Sequence, residues 1–187
     1  MLACLLQACA SNGQVADLPP FLEQQRIHEL ELAILALDES VDRSEAHRAA
    51  TIAIEYPLEL ARDYDVTDAP LVHNMKVNIG VKERGLCTDW TSDLLARLRE
   101  EQFFTLDLHW GIANYQSTFA IEHSTAIISA RGQGMEKGLV LDPWRQAGHL
   151  YWAKTAEDPD YRWYPKADIH ALKREQQAEL TNRSIVR

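Results

Sequence analysis

Three residues in the middle of the chain have side chains suited to nucleophilic catalysis: Cys87, His123 and Asp142, in that order. A cysteine thiol is weakly ionised at neutral pH, so it becomes a strong nucleophile only where positive charge stabilises the thiolate. A helix N-terminus and a nearby imidazolium are two sources of such charge. A carboxylate that accepts a hydrogen bond from the imidazole would fix its orientation and tautomer. These residue types predict acyl-transfer chemistry if the fold brings them together.

The cysteine is predicted to lie at the start of a helix over residues 87–100. Apolar residues recur in this segment at the spacing of one helical face, and Gly85 indicates a turn before it. Arg84 would favour ionisation of the thiol if it lay close to the sulfur. Asp89, two residues beyond Cys87, would oppose ionisation if its carboxylate pointed toward the sulfur.

The histidine and the aspartate are predicted to lie on successive strands. His123 falls early in an alternating segment at about 119–130, and Asp142 ends an apolar run at 138–142. His109, on an earlier alternating segment, is a competing candidate for the catalytic base. The proline after Asp142 leaves open the alternative that this aspartate is only a turn residue.

These motifs resemble the papain-like cysteine hydrolase superfamily, and most closely its bacterial transglutaminase-like branch. The resemblance covers about residues 72–150 and consists of a Gly-x-Cys at a helix start, a His at the head of a strand and an Asp-Pro at the end of the next strand. It implies that Cys87 is the nucleophile, His123 the general base and acid, and Asp142 the residue that orients the imidazole. It further implies acyl transfer from an amide through a thioester, completed by water or by an amine.

The oxyanion hole is where the sequence departs from this family. Papain-like enzymes have a Gln or a similar donor a few residues before the nucleophile, but the residue six positions before Cys87 is Val81. Asn78 and Asn74, farther upstream, are the candidate donors, since a missing donor costs about 3 kcal/mol of transition-state stabilisation. The candidate walls of a substrate cleft are two tryptophans beside the predicted triad, Trp90 and Trp144.

The first ten residues resemble the end of a bacterial lipoprotein signal peptide. Residues 1–10 are mostly apolar, and Leu6-Gln7-Ala8-Cys9 matches a lipobox, which makes Cys9 the residue to be lipidated. This predicts an envelope protein anchored by lipid and facing the periplasm; the alternative is a buried helical turn in a cytoplasmic protein. After processing, Cys87 would be the only thiol, so a redox-sensing role would lack a resolving cysteine.

The remaining pattern predicts a single domain over 18–187, with a helical part at 18–71 and a papain-like catalytic core at 72–150. Helices come first and strands later, which indicates an α+β fold. The N-terminal helices and the helix bearing the nucleophile would pack on an antiparallel sheet. The other expected elements are a helix at 20–38, a helix from Ser44 that Pro57 should end or kink, an irregular segment at 65–74, a strand from about 103, a solvated turn at Asp158-Pro159-Asp160 and a weak helix at 167–180.

Composition narrows the class of function. The chain has 187 residues with 19 Lys and Arg against 28 Asp and Glu, a net charge of −9, which disfavours a nucleic-acid partner. Three cysteines at irregular spacing fit no zinc motif, which disfavours a structural metal. No cofactor is expected.

Together these patterns predict an envelope-associated cysteine amidohydrolase or peptidase acting on a peptide or protein. Two alternatives stay open: a transglutaminase, which would use the same residues, and a non-catalytic binding or scaffolding lipoprotein of the same fold. The missing Gln-like donor favours the last.

Overall fold

The computed structural model describes residues 18–185, and within this range it combines five α-helices with one five-stranded antiparallel sheet. The predicted α+β class is therefore confirmed. The helices are α1 (Pro20–Leu35), α2 (Arg43–Asp63), α3 (Pro70–Asn78), α4 (Cys87–Glu100) and α5 (Lys166–Ile185). The strands are β1 (Leu106–Ala113), β2 (His123–Ala130), β3 (Leu139–Gln146), β4 (His149–Lys154) and β5 (Tyr164–Pro165).

The sheet has the strand order β4-β3-β2-β1-β5, which makes β2 the central strand. Every residue of β2 is buried. β1 pairs with β2 along its whole length, from Leu106 opposite Ala130 to Ala113 opposite His123. Because side chains alternate along a strand, His123 shares one face of the sheet with Ile127.

The two faces of the sheet are covered by different parts of the chain. Ala126 and Ile128 of β2 face the main core, together with apolar residues of α1, α2 and α4. Ile127 faces a smaller cluster that includes Trp163, from the segment just before β5. His123 therefore lies on the face away from the main helices, at the end of the sheet where α4 begins.

Helix α4 is held firmly between the sheet and α2. Leu94, Leu95 and Leu98 on its inner face are fully buried, and each stabilises the fold by about 1.5–3 kcal/mol relative to an exposed position. Buried alanines of α2, such as Ala49 and Ala53, belong to the same core, and α2 packs directly against α4. The first residue of α4 consequently sits on a rigid support.

Pro57 was expected to end or kink the second helix, and the structure shows that it does not end it. Helix α2 continues through Pro57 to Asp63, with its N-cap at Asp42, whose side chain accepts from the backbone N–H of Glu45 at 3.0 Å. A proline inside a helix costs about 3 kcal/mol. Burial of the residues beyond it, including Leu60, offsets this cost, which the local pattern could not reveal.

A second correction concerns the segment at 65–74, which was expected to be irregular. It contains the start of α3, where Pro70 occupies a position at the helix beginning that suits its missing N–H. Two polar residues of α3, His73 and Asn74, are buried. The other predicted bounds moved by a few residues, notably β2, which begins at His123 instead of about 119.

The expected lipidation site, Cys9, and the rest of the signal-like segment lie outside the described residues, so the anchor stays a prediction. Within residues 18–185, each helix is too short or too polar to cross a bilayer.

Candidate active site

Cys87 is the first residue of α4, and a sharp turn places its thiol at the N-terminus of the helix. Gly85 in this turn has a φ of 119°, which strongly favours glycine. A Cβ atom at this position would lie 2.3 Å from Nε2 of His73. The Cys87 Sγ lies 3.8 Å from the carbonyl oxygen of Glu122, to which the thiol donates a weak hydrogen bond. Cys87 is 6% exposed, so only a small part of it reaches solvent.

The carboxylate of Asp89 is engaged by the backbone of the turn. Its Oδ2 accepts hydrogen bonds from the N–H groups of Gly85 and Leu86, both at 2.9 Å. Its Oδ1 lies 3.8 Å from Nε of Arg84, which offsets part of its charge. Asp89 thus stabilises the turn that presents Cys87, a role that the sequence pattern left open.

His123 is held by one hydrogen bond and by three aromatic rings. Its Nε2 lies 2.6 Å from Oδ2 of Asp142, and His123 itself is 2% exposed. The ring centroids of Trp144, Tyr161 and Trp163 lie 4.6, 4.8 and 5.4 Å from that of the imidazole. Because an ionised carboxylate only accepts hydrogen bonds, Nε2 carries a proton and Nδ1 of the neutral ring is an acceptor.

Nδ1 of His123 is the free end of this imidazole. It is buried, and it makes no hydrogen bond of normal geometry with any of the residues that the structure describes. Burial by itself lowers the pKa of His123, but the hydrogen bond to Asp142, the interaction with the Cys87 side chain and the charges of both raise it to about 9. With Nε2 occupied by Asp142, the thiol can act on the imidazole only through Nδ1. The imidazole is therefore placed to accept the thiol proton and to remain protonated at neutral pH.

Asp142 is a buried strand residue. It is 1% exposed and lies in β3, where it pairs with Tyr151 of β4. Besides His123, its Oδ2 accepts a hydrogen bond from Nε of Arg145 at 2.8 Å. A buried carboxylate with two charge-assisted partners is well suited to orient an imidazole, whereas a simple turn residue would need neither partner.

Asn74 and Trp144, both predicted from the sequence as site residues, contact each other, and Trp144 packs on the His123 ring. The indole Nε1 of Trp144 donates to Oδ1 of Asn74 at 3.0 Å, so Nδ2 is the end of the amide that can donate to a ligand. Nε2 of His73 donates to the carbonyl oxygen of Arg84 at 2.9 Å and thereby holds α3 against the turn before Cys87.

The other residues predicted from the sequence are placed elsewhere. Asn78 is exposed at the end of α3, one helical turn beyond Asn74. Trp90 is buried in the core, where its Nε1 donates to the carbonyl oxygen of Gly85 at 3.0 Å, so it supports the turn and does not line a cleft. His109 bonds Oγ of Ser129 at 2.7 Å and lies about four residues along the sheet from the first residue of β2, on the order of 13 Å away.

Sequence reasoning missed the segment from Asp158 to Trp163. The expected solvated turn was wrong for Asp158, because its side chain is fully buried against Arg145. Tyr161 and Trp163 pack on the His123 ring, as described above. The only local signal was the concentration of aromatic residues after Pro159, which does not tell a core cluster from a site.

Comparisons of the chain with protein-family models, with characterised proteins and with solved structures found no match. Among residues 18–185, no group of three or more His, Cys, Asp or Glu side chains is arranged to hold a metal ion. Function is therefore inferred from the chemistry of Cys87, His123 and Asp142 themselves.

Proposed function

We propose that this protein is a cysteine hydrolase or acyltransferase of papain-like, transglutaminase-like type, with Cys87 as nucleophile. The observation that carries the proposal is the buried imidazole of His123, which is bonded through Nε2 to Asp142, interacts with the Cys87 side chain and leaves Nδ1 without a hydrogen bond of normal geometry among the described residues. The elements also occur in the order that this type of core requires, with the thiol at a helix N-terminus and the other two residues on adjacent strands.

The first half-reaction forms a thioester. Nδ1 of His123 takes the proton of the Cys87 thiol, and Sγ attacks the carbonyl carbon of an amide. The imidazolium then gives this proton to the amine nitrogen, the carbon–nitrogen bond breaks, and the acyl group remains on sulfur.

The second half-reaction releases the acyl group. His123 takes a proton from water, the oxygen attacks the thioester carbon, and the carbon–sulfur bond breaks as the proton passes to Sγ. A primary amine in place of water would give a new amide, which is the transglutaminase outcome. Asp142 accepts the Nε2–H bond throughout and stabilises the imidazolium.

A polypeptide is the substrate class that the surroundings of the thiol favour. Leu71 and Met75 are exposed on α3, which contacts the turn before Cys87. Phe119 and Ile121 are exposed on the loop between β1 and β2, which contacts the thiol through its last residue. Apolar side chains on both flanking elements suit an extended peptide better than an anionic polymer, which the net charge of −9 would also repel.

A product assay with casein separates the two outcomes of acyl transfer. Incubation of the protein with casein and fluorescent cadaverine would give labelled casein if an amine is the acceptor. Release of new amino groups from succinylated casein would indicate hydrolysis of peptide bonds. Neither product, from a folded protein whose thiol behaves as an ordinary one, would favour the non-catalytic binding role, which the low exposure of Cys87 supports.

Asn74 is expected to donate to the oxyanion through Nδ2, together with the backbone N–H of Cys87. Asn74→Ala should lower kcat about 100- to 1000-fold with a smaller effect on KM, because the donor acts mainly in the transition state. Asn74→Asp should lose as much activity, although it keeps an acceptor for Trp144. The matched control is Asn78→Ala on the exposed end of α3, and equal kcat values for both alanine variants would rule out the oxyanion role.

The titration of His123 provides a test that needs no substrate. Its pKa is raised from 6.5 to about 9, so the imidazolium persists through neutral pH and is lost as pH rises through about 9. In Asp142→Asn the midpoint should fall, because burial still lowers the pKa while the charged partner is gone. Imidazole NMR shifts followed against pH measure both midpoints. A wild-type midpoint at or below 6.5 would contradict the predicted coupling.

A further inference from the structure

Arg145 lies beside the triad because of an irregularity in β3. Residues three apart in a regular strand point to opposite faces of the sheet. The pairing of β3 with β4 shifts its register between Asp142 and Gln146, and this bulge turns Arg145 back toward Asp142. Nε of Arg145 then donates to Oδ2 of Asp142 at 2.8 Å, the same oxygen that bonds His123.

The guanidinium of Arg145 is fixed at its other end by Asp158. Nη1 lies 3.0 Å from Oδ1 of Asp158, and Nη2 bonds the other carboxylate oxygen. The side chains of Arg145 and Asp158 are only 9% and 0% exposed. Nε1 of Trp163 donates to Asp158 at 2.8 Å, so the carboxylate that anchors the guanidinium is itself held in place.

Aromatic rings enclose the same guanidinium. The Cζ atom of Arg145 lies 4.1 Å from the ring centroid of Tyr151 and 4.5 Å from that of Tyr161. Tyr161 also packs on His123. A planar cation that bonds three carboxylates, counting Asp160 at 3.3 Å from Nη1, and is enclosed by aromatic rings has a single orientation available to it.

From these contacts we infer that Arg145 is a positioning residue for the proposed reaction: it holds Asp142 in the orientation that keeps Nε2 of His123 bonded and Nδ1 turned toward Cys87. This inference rests on the proposed function. Arg145 acts only through Asp142 and takes no proton. Its charge is balanced by buried Asp158, so it can hold Asp142 without cancelling the pull of that carboxylate on the imidazolium.

A purely electrostatic role of Arg145 would have an effect of opposite sign. If Arg145 only screened Asp142, its removal would strengthen the attraction between Asp142 and the imidazolium, and Cys87 would be labelled faster at mildly acidic pH. If Arg145 positions Asp142, its removal weakens the hydrogen bond between Asp142 and His123, and labelling of Cys87 slows. The charged and titratable groups around the triad include Arg145, Asp158, Asp160, Tyr151 and Tyr161 on the side of His123 and Asp142, and Arg84 and Asp89 at the turn before Cys87.

The test uses the double variant R145M/D158N, because R145M alone would leave buried Asp158 without its partner and could unfold the protein. The rate of Cys87 alkylation by iodoacetamide is followed against pH in the full chain carrying C4S and C9S. Labelling near pH 6 should slow about 10- to 100-fold. The control, R131M/D107N, removes an Arg–Asp pair at the opposite end of β2 and should leave labelling unchanged.

A labelling rate near pH 6 that is unchanged or faster in R145M/D158N, with the fold intact by circular dichroism, would overturn the inference. A lack of labelling near pH 6 in the C4S/C9S parent would instead count against the proposed function. In that case, ¹⁵N NMR of the neutral His123 imidazole, recorded above its pKa of about 9, still tests Arg145: R145M/D158N should lose the fixed Nε2–H tautomer. Retention of that tautomer would overturn the inference independently of activity.

Discussion

Replacing Cys87 with alanine is expected to abolish acyl transfer, with a loss of about 10⁴-fold or more in kcat. The reason is that Cys87 is the free cysteine among the described residues and that its side chain interacts with the His123 imidazole. The same substitution should remove rapid labelling by iodoacetamide at mildly acidic pH, which only a stabilised thiolate allows. Peptide mapping by mass spectrometry after labelling would locate the reactive thiol.

Two further variants show whether the loss of acyl transfer in Cys87→Ala comes from the missing thiol or from a disturbed fold. Cys87→Ser keeps the size of the side chain and its hydrogen bond to the carbonyl oxygen of Glu122, so the fold should persist while acyl transfer is lost. The double variant C4S/C9S removes the other two cysteines of the chain and should keep both the rapid labelling and the activity. Full activity in Cys87→Ala would end the proposal.

Removing the imidazole should have an effect of similar size. His123→Gln is expected to lower kcat about 10⁴-fold, because the thiol loses its base and the leaving amine loses its acid. Labelling of Cys87 by iodoacetamide at mildly acidic pH should also slow, because no imidazolium is left to stabilise the thiolate. Asp142→Asn should cause a comparable loss, because an amide can donate to Nε2 and thereby favour the wrong tautomer.

His109→Gln is the matched control for this prediction, since His109 lies on the neighbouring strand and bonds Ser129. It should keep both the labelling rate of Cys87 at mildly acidic pH and kcat close to those of the parent protein. Thermal unfolding of all three variants would separate a loss of chemistry from a loss of fold. A larger loss of activity in His109→Gln than in His123→Gln would show that the base has been misassigned.

Part of this site could be predicted because local patterns report local structure. The helix predicted at 87–100 coincides with α4, since its apolar spacing and the glycine before it are sufficient to define a helix start. The alternating pattern around His123 likewise identified β2. In both cases the information lies within a dozen neighbouring residues.

Other parts could not be predicted because they depend on contacts between distant segments. The local pattern of α3 was weak, and its helix is stabilised by burial of His73 and Asn74 against the turn before α4 and against Trp144. Asp158 has the local sequence of a solvated turn, but Arg145 and Trp163 bury it. The energies of such contacts between distant segments cannot be read from any single stretch of the sequence.

The amino-acid sequence alone determined the residue types available for chemistry, the helix that begins with Cys87 and the strand that begins near His123, because backbone preferences and apolar spacing act over short range. Tertiary structure decided which of two histidines faces the thiol, which asparagine is buried beside it and which arginine holds Asp142. These choices depend on strand register and on the bulge in β3. Both form only when the sheet packs against the helices and the buried charged groups form hydrogen bonds and ion pairs.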